Sequence, residues 1–124
     1  MGIRTLFFDT YAFFEIINGN NKYTPYATNV AIVTTRLNLM ELFYGLLIKY
    51  GEEVANKYYD RYLLYTVNIN DITIKNSMLL RVSLKNKGLS YTDCIGYTIA
   101  KEMNIKFLTG DMQFENLPNV EFVK

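Results

Sequence analysis

Residues 3–10 read IRTLFFDT, a short β-branched and aromatic run that stops at Asp9 and Thr10, two residue types that commonly cap helices. This pattern predicts a buried strand over residues 3–8 and a helix over about 11–17. The turn-forming sequence Asn18-Gly19-Asn20-Asn21 follows that helix. Comparable apolar runs predict further strands at 29–35, 66–69, 105–109 and 120–123.

Segments with helical patterns separate these strands. Residues 37–50 carry apolar side chains at helical spacing and are followed by Gly51, a common helix end. Further helices are predicted at 52–65, at 71–87 with Asp71 as the cap, and at 90–103 after a capping box that starts at Ser90. Pro25 is expected to interrupt regular structure. Strands that alternate with helices predict an α/β fold, with a mostly parallel sheet and helices on both faces.

Composition limits the classes of protein and of active site. The 124 residues, half of them hydrophobic, suit one domain over residues 1–124, and a net charge of +1 does not by itself indicate a polyanion partner. The absence of His and the single Cys exclude zinc sites of the Cys/His type, His-dependent triads and internal disulfides. No segment resembles a signal peptide or approaches the ~20 apolar residues that span a bilayer. We therefore expect a soluble, cytoplasmic protein without a membrane partner.

Four carboxylates stand at positions that suggest a shared site. Asp9 and Asp111 each follow a predicted strand, and ligands of α/β folds bind beyond the carboxyl ends of parallel strands. Asp93 lies in the first turn of a helix, and Glu41 lies in an apolar helix with no cation three or four residues away. Helix capping for the three Asp residues, or a Glu41 side chain that reaches water, would also explain them. Together the four acids predict an all-oxygen cleft that favours Mg²⁺ or Mn²⁺ and phosphodiester chemistry.

Four segments in order carry a family resemblance across essentially the whole chain. They are FFDTYAF around Asp9, NLMELFYG around Glu41, SYTDCIGYTIAKE around Asp93 and FLTGDMQFENL around Asp111. This order resembles the PIN-domain nucleases, and the compact length resembles the VapC-type toxins of toxin–antitoxin pairs. The resemblance implies a three-layer α/β/α sandwich, a divalent-metal site, endonuclease action on RNA, a small antitoxin partner and a homodimer formed through the N-terminal half.

The resemblance also assigns residue roles by position. Asp9 and Asp93 would be the metal ligands, and Glu41 and Asp111 would complete the catalytic acidic pocket. Thr109 matches a supporting hydroxyl, and Glu115 matches a position that is acidic in some members. A metal in this pocket would polarise the scissile phosphate and lower the pKa of an attacking water.

Other features leave alternatives open. The segment from 72 to 92 contains cations but no acid, and these could steer RNA phosphates or simply face solvent; they are Lys75, Arg81, Lys85 and Lys87. Tyr58, Tyr62 and Tyr65 share one helix face and indicate either packing inside the protein or a dimer seam. The alternative to a nuclease is a catalytically idle PIN-type module that binds RNA or protein. The presence of all four acids favours the enzyme.

Overall fold

The computed structural model describes residues 2–124, and in that range four strands form one parallel sheet with six α-helices around it. The strand order is β2-β1-β3-β4 and every pairing is parallel, which confirms the predicted α/β class. Within the same range no helix has the length and apolar content needed to cross a membrane. The elements are β1 (Arg4–Phe8), α1 (Thr10–Ile17), α2 (Thr24–Ala27), β2 (Val30–Val33), α3 (Arg36–Tyr50), α4 (Glu52–Leu63), α5 (Asp71–Ser83), α6 (Tyr91–Glu102), β3 (Lys106–Thr109) and β4 (Val120–Phe122).

The sheet separates two hydrophobic cores. Successive side chains of β1 alternate between them, since Leu6 and Phe8 pack with α1, α3 and α4, whereas Phe7 packs with α5 and α6. The ring of Phe7 stacks on that of Phe107 of β3, with centroids 5.5 Å apart. This arrangement is the predicted α/β/α sandwich. Of the three tyrosines predicted to share a helix face, Tyr62 is largely buried in the first core and Tyr58 packs against that core, whereas Tyr65 is exposed. Packing inside the protein therefore accounts for Tyr58 and Tyr62.

The predicted helix boundaries hold where a local cap is present. Asp9 caps α1, Gly51 follows α3, and Ser90 and Asp93 form the capping box of α6. Pro25 lies in the first turn of the short helix α2, where the missing N–H is not needed, so it starts a helix instead of interrupting the chain.

Two predictions about the middle of the chain are wrong. Residues 66–69 do not form a strand, because the edge strand β2 ends at Val33 and only Thr34 is left to form a single bridge with Thr66. The helix predicted at 71–87 starts at Asp71 as expected, but its cap is Asn70 and not Asp71, and the helix ends at Ser83. Its predicted last turn is a separate 3₁₀ turn at Lys85–Lys87, which leads into the left-handed backbone of Gly88 (φ 70°).

The parallel pairing of β1 with β3 brings their carboxyl ends to one edge of the sheet. The N–H of Asp9 donates to the carbonyl of Leu108 at 3.1 Å. Immediately after β3, Gly110 is enclosed so tightly that a Cβ atom there would collide with the carbonyl oxygen of Val123 and the ring of Tyr11. Only glycine fits this turn, and the turn places Asp111 at the same edge as Asp9.

We expect Phe107→Ala to lower the free energy of unfolding by about 3–5 kcal/mol, because the substitution leaves a cavity between β3 and α6. Leu64→Ala removes an exposed side chain and should change it by less than about 0.5 kcal/mol. Urea unfolding of both variants measures the difference. Equal stabilities would contradict the assignment of Phe107 to the second core.

Candidate functional site

Asp9 lies at the centre of the carboxyl edge and is 4 % exposed. Its Oδ1 accepts a hydrogen bond from the N–H of Thr10 at 2.9 Å, and its Oδ2 accepts one from Oγ1 of Thr109 at 2.7 Å. The same Thr109 oxygen accepts the N–H of Asp111 at 3.1 Å. One buried hydroxyl therefore connects the first carboxylate to the turn that carries the fourth.

Glu41 has a partner that sequence reasoning missed. Its Oε1 accepts a hydrogen bond from Oγ1 of Thr10 at 2.8 Å. Nδ2 of the buried Asn38 donates to that Thr10 oxygen at 3.1 Å, and Oγ1 of Thr35 donates to Oδ1 of Asn38 at 2.7 Å. The carboxylate is thus anchored by a polar network between α1 and α3 and does not simply reach out to water. The available signal was Asn38 itself, a polar residue one helical turn before Glu41.

Asp93 is half-buried in the first turn of α6. Its Oδ2 accepts the N–H of Ser90 at 2.9 Å, and Oγ of Ser90 accepts the N–H of Asp93 at 3.0 Å. The capping explanation of this residue is therefore correct. It does not exclude a second role, because the hydrogen bond engages only one of the two carboxylate oxygens within residues 2–124.

The four carboxylates influence one another electrostatically. The pKa of Asp9 is raised from 3.8 to about 7. Burial is the largest cause, the charges of Asp93 and Glu41 contribute to the same rise, and the hydrogen bonds described above oppose it. Burial also raises the pKa of Asp93, with added contributions from the charges of Asp111 and Glu41. Desolvation is the largest cause in both cases, ahead of mutual repulsion. The site consequently favours a bound proton or a bound cation over bare negative charge.

The donor set matches an oxygen-preferring cation with few protein ligands. Within residues 2–124 no three Cys, Asp or Glu side chains are already close enough together to hold a metal ion. Mg²⁺ commonly takes only one or two carboxylates and completes its shell with waters and substrate phosphate oxygens. Asp9 and Asp93 fit that pattern.

The side chains of the remaining predicted site residues form no hydrogen bond or ion pair with the four carboxylates within residues 2–124. Glu115 is exposed after the turn at Met112–Phe114 and makes no side-chain hydrogen bond in the part of the chain described. The four cations do not share one helix face, because α5 carries Lys75 and Arg81, whereas Lys85 and Lys87 lie in the following 3₁₀ turn.

Comparison with known proteins identifies the fold and the family model. The model described as PIN domain matches residues 6–120. No curated protein sequence matches the chain. The similar solved structures include VapC20 of Mycobacterium tuberculosis, described as a sarcin–ricin-loop-cleaving toxin, which is 15% identical with a TM-score of 0.81 over 96% of this chain and 99% of that one.

Two complexes are also similar. A toxin–antitoxin complex from Klebsiella pneumoniae contains a chain 19% identical, with a TM-score of 0.74 over 94% of this chain and 95% of that one. The structure of VapBC2 of Rickettsia felis, bound to a promoter DNA fragment, contains a chain that is 21% identical. Its TM-score is 0.70 over 96% of this chain and 97% of that one. At these identities the likeness shows a shared fold.

The raised pKa of Asp9 predicts a specific pH dependence of stability in the metal-free protein. Below about pH 4 the Asp9 carboxyl is protonated in both the folded and the unfolded state, so it does not lower the free energy of unfolding there. Between pH 4 and 7 the unfolded chain releases the proton while the folded chain keeps it, so stability is lost as pH rises. The shift corresponds to a loss on the order of 4 kcal/mol. Asp9→Asn should abolish most of this loss and should be more stable than the wild type at pH 8.

Urea unfolding with a chelator present, at pH 4.5 and pH 8, measures this effect. Asp60→Asn is the matched control, because Asp60 is exposed on α4 and its substitution should leave the pH dependence unchanged. A wild type equally stable at both pH values, or an Asp9→Asn variant that loses as much stability as the wild type, would contradict the prediction.

Proposed function

The chain belongs to the PIN domain family, and on that premise we propose that it is a Mg²⁺- or Mn²⁺-dependent endoribonuclease that hydrolyses RNA phosphodiester bonds. The observation that carries this proposal is the meeting of Asp9, Glu41, Asp93 and Asp111 in one electrostatic neighbourhood at the carboxyl edge of the sheet. We take residues 1–124 to act as a single nuclease domain.

In this mechanism Asp9 and Asp93 would hold the cation. A bound divalent ion supplies positive charge for the phosphate and makes an attacking water more acidic. Glu41 is oriented by its hydrogen bond from Thr10, and its second carboxylate oxygen, which has no hydrogen bond within residues 2–124, can accept the proton of that water. Asp111 completes the pocket. Thr109 fixes the position of Asp9 relative to the Asp111 backbone, because its hydroxyl is hydrogen-bonded to both.

RNA must approach this acidic site against like charge. We propose that the cations of α5 and of the turn after it provide the compensating attraction for phosphates; these are Lys75, Arg81, Lys85 and Lys87. Glu115 is exposed a few residues after Asp111 and forms no hydrogen bond with the carboxylate cluster in the described part of the chain, so it keeps at most a supporting role.

We further propose that the protein is the cytoplasmic toxin of a toxin–antitoxin pair, with a small antitoxin protein as its partner. Support comes from the similar solved structures, which include a toxin–antitoxin complex and a VapBC complex. The single, buried Cys94 suits a reducing compartment.

Removing one proposed metal ligand tests the activity. We expect Asp9→Asn and Asp93→Asn to lower the rate of RNA cleavage in Mg²⁺ or Mn²⁺ by at least about 100-fold, which corresponds to about 2.7 kcal/mol of barrier. Chelator should abolish wild-type cleavage. The two ions should also raise the melting temperature of the wild type more than that of either variant, because only binding to the native state stabilises it.

Asp60→Asn again serves as the control, since it removes one exposed carboxylate elsewhere and should leave cleavage unchanged. Cleavage that survives chelator would contradict the metal dependence. Full activity in Asp9→Asn and Asp93→Asn would reduce both residues to helix caps, whereas a wild type that cleaves no RNA would favour the catalytically idle module.

A homodimer is the proposed assembly. The outer face of α3 exposes Met40, Tyr44 and Ile48, which are spaced four residues apart and therefore form one apolar stripe. Such a stripe in the N-terminal half is a suitable surface for a second copy of the chain.

We expect light scattering at micromolar concentration to give twice the chain mass of 14.5 kDa for the wild type and a lower mass for Tyr44→Arg. The matched control is Ile72→Arg on α5, because Tyr44 is 67 % and Ile72 is 69 % exposed. The control should keep the dimer mass. A monomeric wild type, or a dimeric Tyr44→Arg variant, would contradict this interface.

A further inference from the structure

A cavity of about 390 Å³ opens between α5, the 3₁₀ turn after it and the start of α6. Its volume lies in the range of sites that bind small organic groups. The lining combines apolar surface with one aromatic ring and two cations, and it includes Met78, Arg81, Val82, Lys85, Leu89 and Tyr91. None of the roles assigned above uses this cavity as a binding site.

Arg81 and Tyr91 form a stacked platform in the cavity wall. The guanidinium carbon of Arg81 lies 4.5 Å from the ring centroid of Tyr91, and its Nε donates to the carbonyl of Leu89 at 3.1 Å. Arg81 makes no ion pair within residues 2–124, so its remaining N–H groups are free for an anion. Tyr91 is 62 % exposed. An open aromatic ring beside a guanidinium is a surface on which a nucleobase can stack.

The cavity is linked to the acidic cluster on two sides. Tyr91 is the first residue of α6 and Asp93 is the third, so they share one helical turn. On the other side, the backbone N–H of Gln113 donates to Oδ1 of Asp111 at 3.0 Å. When the side-chain oxygen and nitrogen of Gln113 are exchanged, so that each faces a suitable partner, the amide nitrogen donates to the carbonyl of Gly88 at 3.2 Å. The cavity and the acidic cluster thus adjoin the same turn of α6 and share a contact with Gln113, so an RNA strand with a phosphate at the carboxylates can extend to this cavity.

We propose that this cavity binds one unpaired base of the RNA substrate beside the scissile phosphate, an inference that rests on the nuclease function proposed above. The base stacks on the Tyr91–Arg81 platform, and Arg81 and Lys85 attract the adjoining phosphate. A second cavity of about 390 Å³ on another face of α5 offers a contrast, because its lining carries one cation, Lys101, and one carboxylate, Glu102, whereas the lining of the first cavity carries two cations and no carboxylate. Charge complementarity with an RNA strand thus favours the first cavity.

Binding can be measured apart from cleavage by working in chelator. The probes are a fluorescent octauridylate and the corresponding abasic backbone, which keeps all the phosphates but has no bases. We expect the wild type to bind octauridylate about 5- to 100-fold more tightly than the abasic backbone, as one stacked base provides. Tyr91→Leu should remove most of this preference, and Tyr91→Phe should keep it.

A matched pair on α5 separates the cavity from general electrostatics. Val82 and Leu79 are 72 % and 68 % exposed, but Val82 borders the first cavity and Leu79 borders the second. Val82→Glu and Leu79→Glu introduce the same charge, and we expect only Val82→Glu to remove the preference for octauridylate. Lys75→Gln lies outside the cavity lining and should weaken binding of both probes by the same factor.

Equal affinity of the wild type for the two probes would overturn the base site, as would a preference unchanged in both Tyr91→Leu and Val82→Glu. Because Val82→Glu alters an exposed residue, it remains informative even if Tyr91→Leu fails to fold. RNA cleavage in Mg²⁺ distinguishes the two proposals. A wild type that cleaves RNA but shows no base preference contradicts the base site alone, whereas one that cleaves no RNA contradicts the nuclease function itself.

Discussion

Burial of the Asp9 carboxylate at the end of the central strand is the constraint on which the rest of the structure depends. A buried carboxylate is costly unless hydrogen bonds or a counter-charge compensate it. Here hydrogen bonds from the start of α1 and from Thr109 of β3 offset part of this cost, and the bond from Thr109 forms only when β1 and β3 are paired. The same Thr109 hydroxyl accepts a hydrogen bond from the backbone N–H of Asp111, and the turn between them has room only for glycine at position 110. Fold and site are therefore stabilised by shared contacts.

Sequence reasoning succeeded where the determining interactions are local. The apolar run before Asp9, the capping box at Ser90 and the glycine after α3 each lie within a few residues of the boundary they define. It failed at residues 66–69, because an apolar run becomes a strand only if a neighbouring strand is long enough to pair with it. The prediction also made α5 too long. No proline or glycine stands between Ser83 and Gly88 to mark the helix end in the sequence, although the backbone tightens there into a 3₁₀ turn.

In the candidate site, too, the local features could be predicted from the sequence and the long-range contacts could not. Glu41 stood out because a helix normally supplies an acid with a partner three or four residues away, and none of those neighbours is a cation. The hydroxyl that does bind it belongs to Thr10, 31 residues earlier, on another helix. No spacing rule reaches that far. Likewise, the cluster of cations was visible in the sequence, but its division between α5 and the following turn, and the stacking of Arg81 on Tyr91, follow from tertiary structure.

The hydrogen bond between Thr109 and Asp9 joins residues 100 positions apart, and this separation affects how the protein is made. Contacts between distant residues form late, because the intervening chain must first be ordered to bring them together. During translation Asp9 and Glu41 emerge long before β3 exists to support Asp9, and Asp93 emerges shortly before it. The hydrogen bond to Asp9 therefore cannot form before β3 has been synthesised, and a nascent or truncated chain that lacks β3 lacks this support for the site. Because β3 lies beside β1 in the sheet, assembly of the site waits for synthesis of residues 106–109.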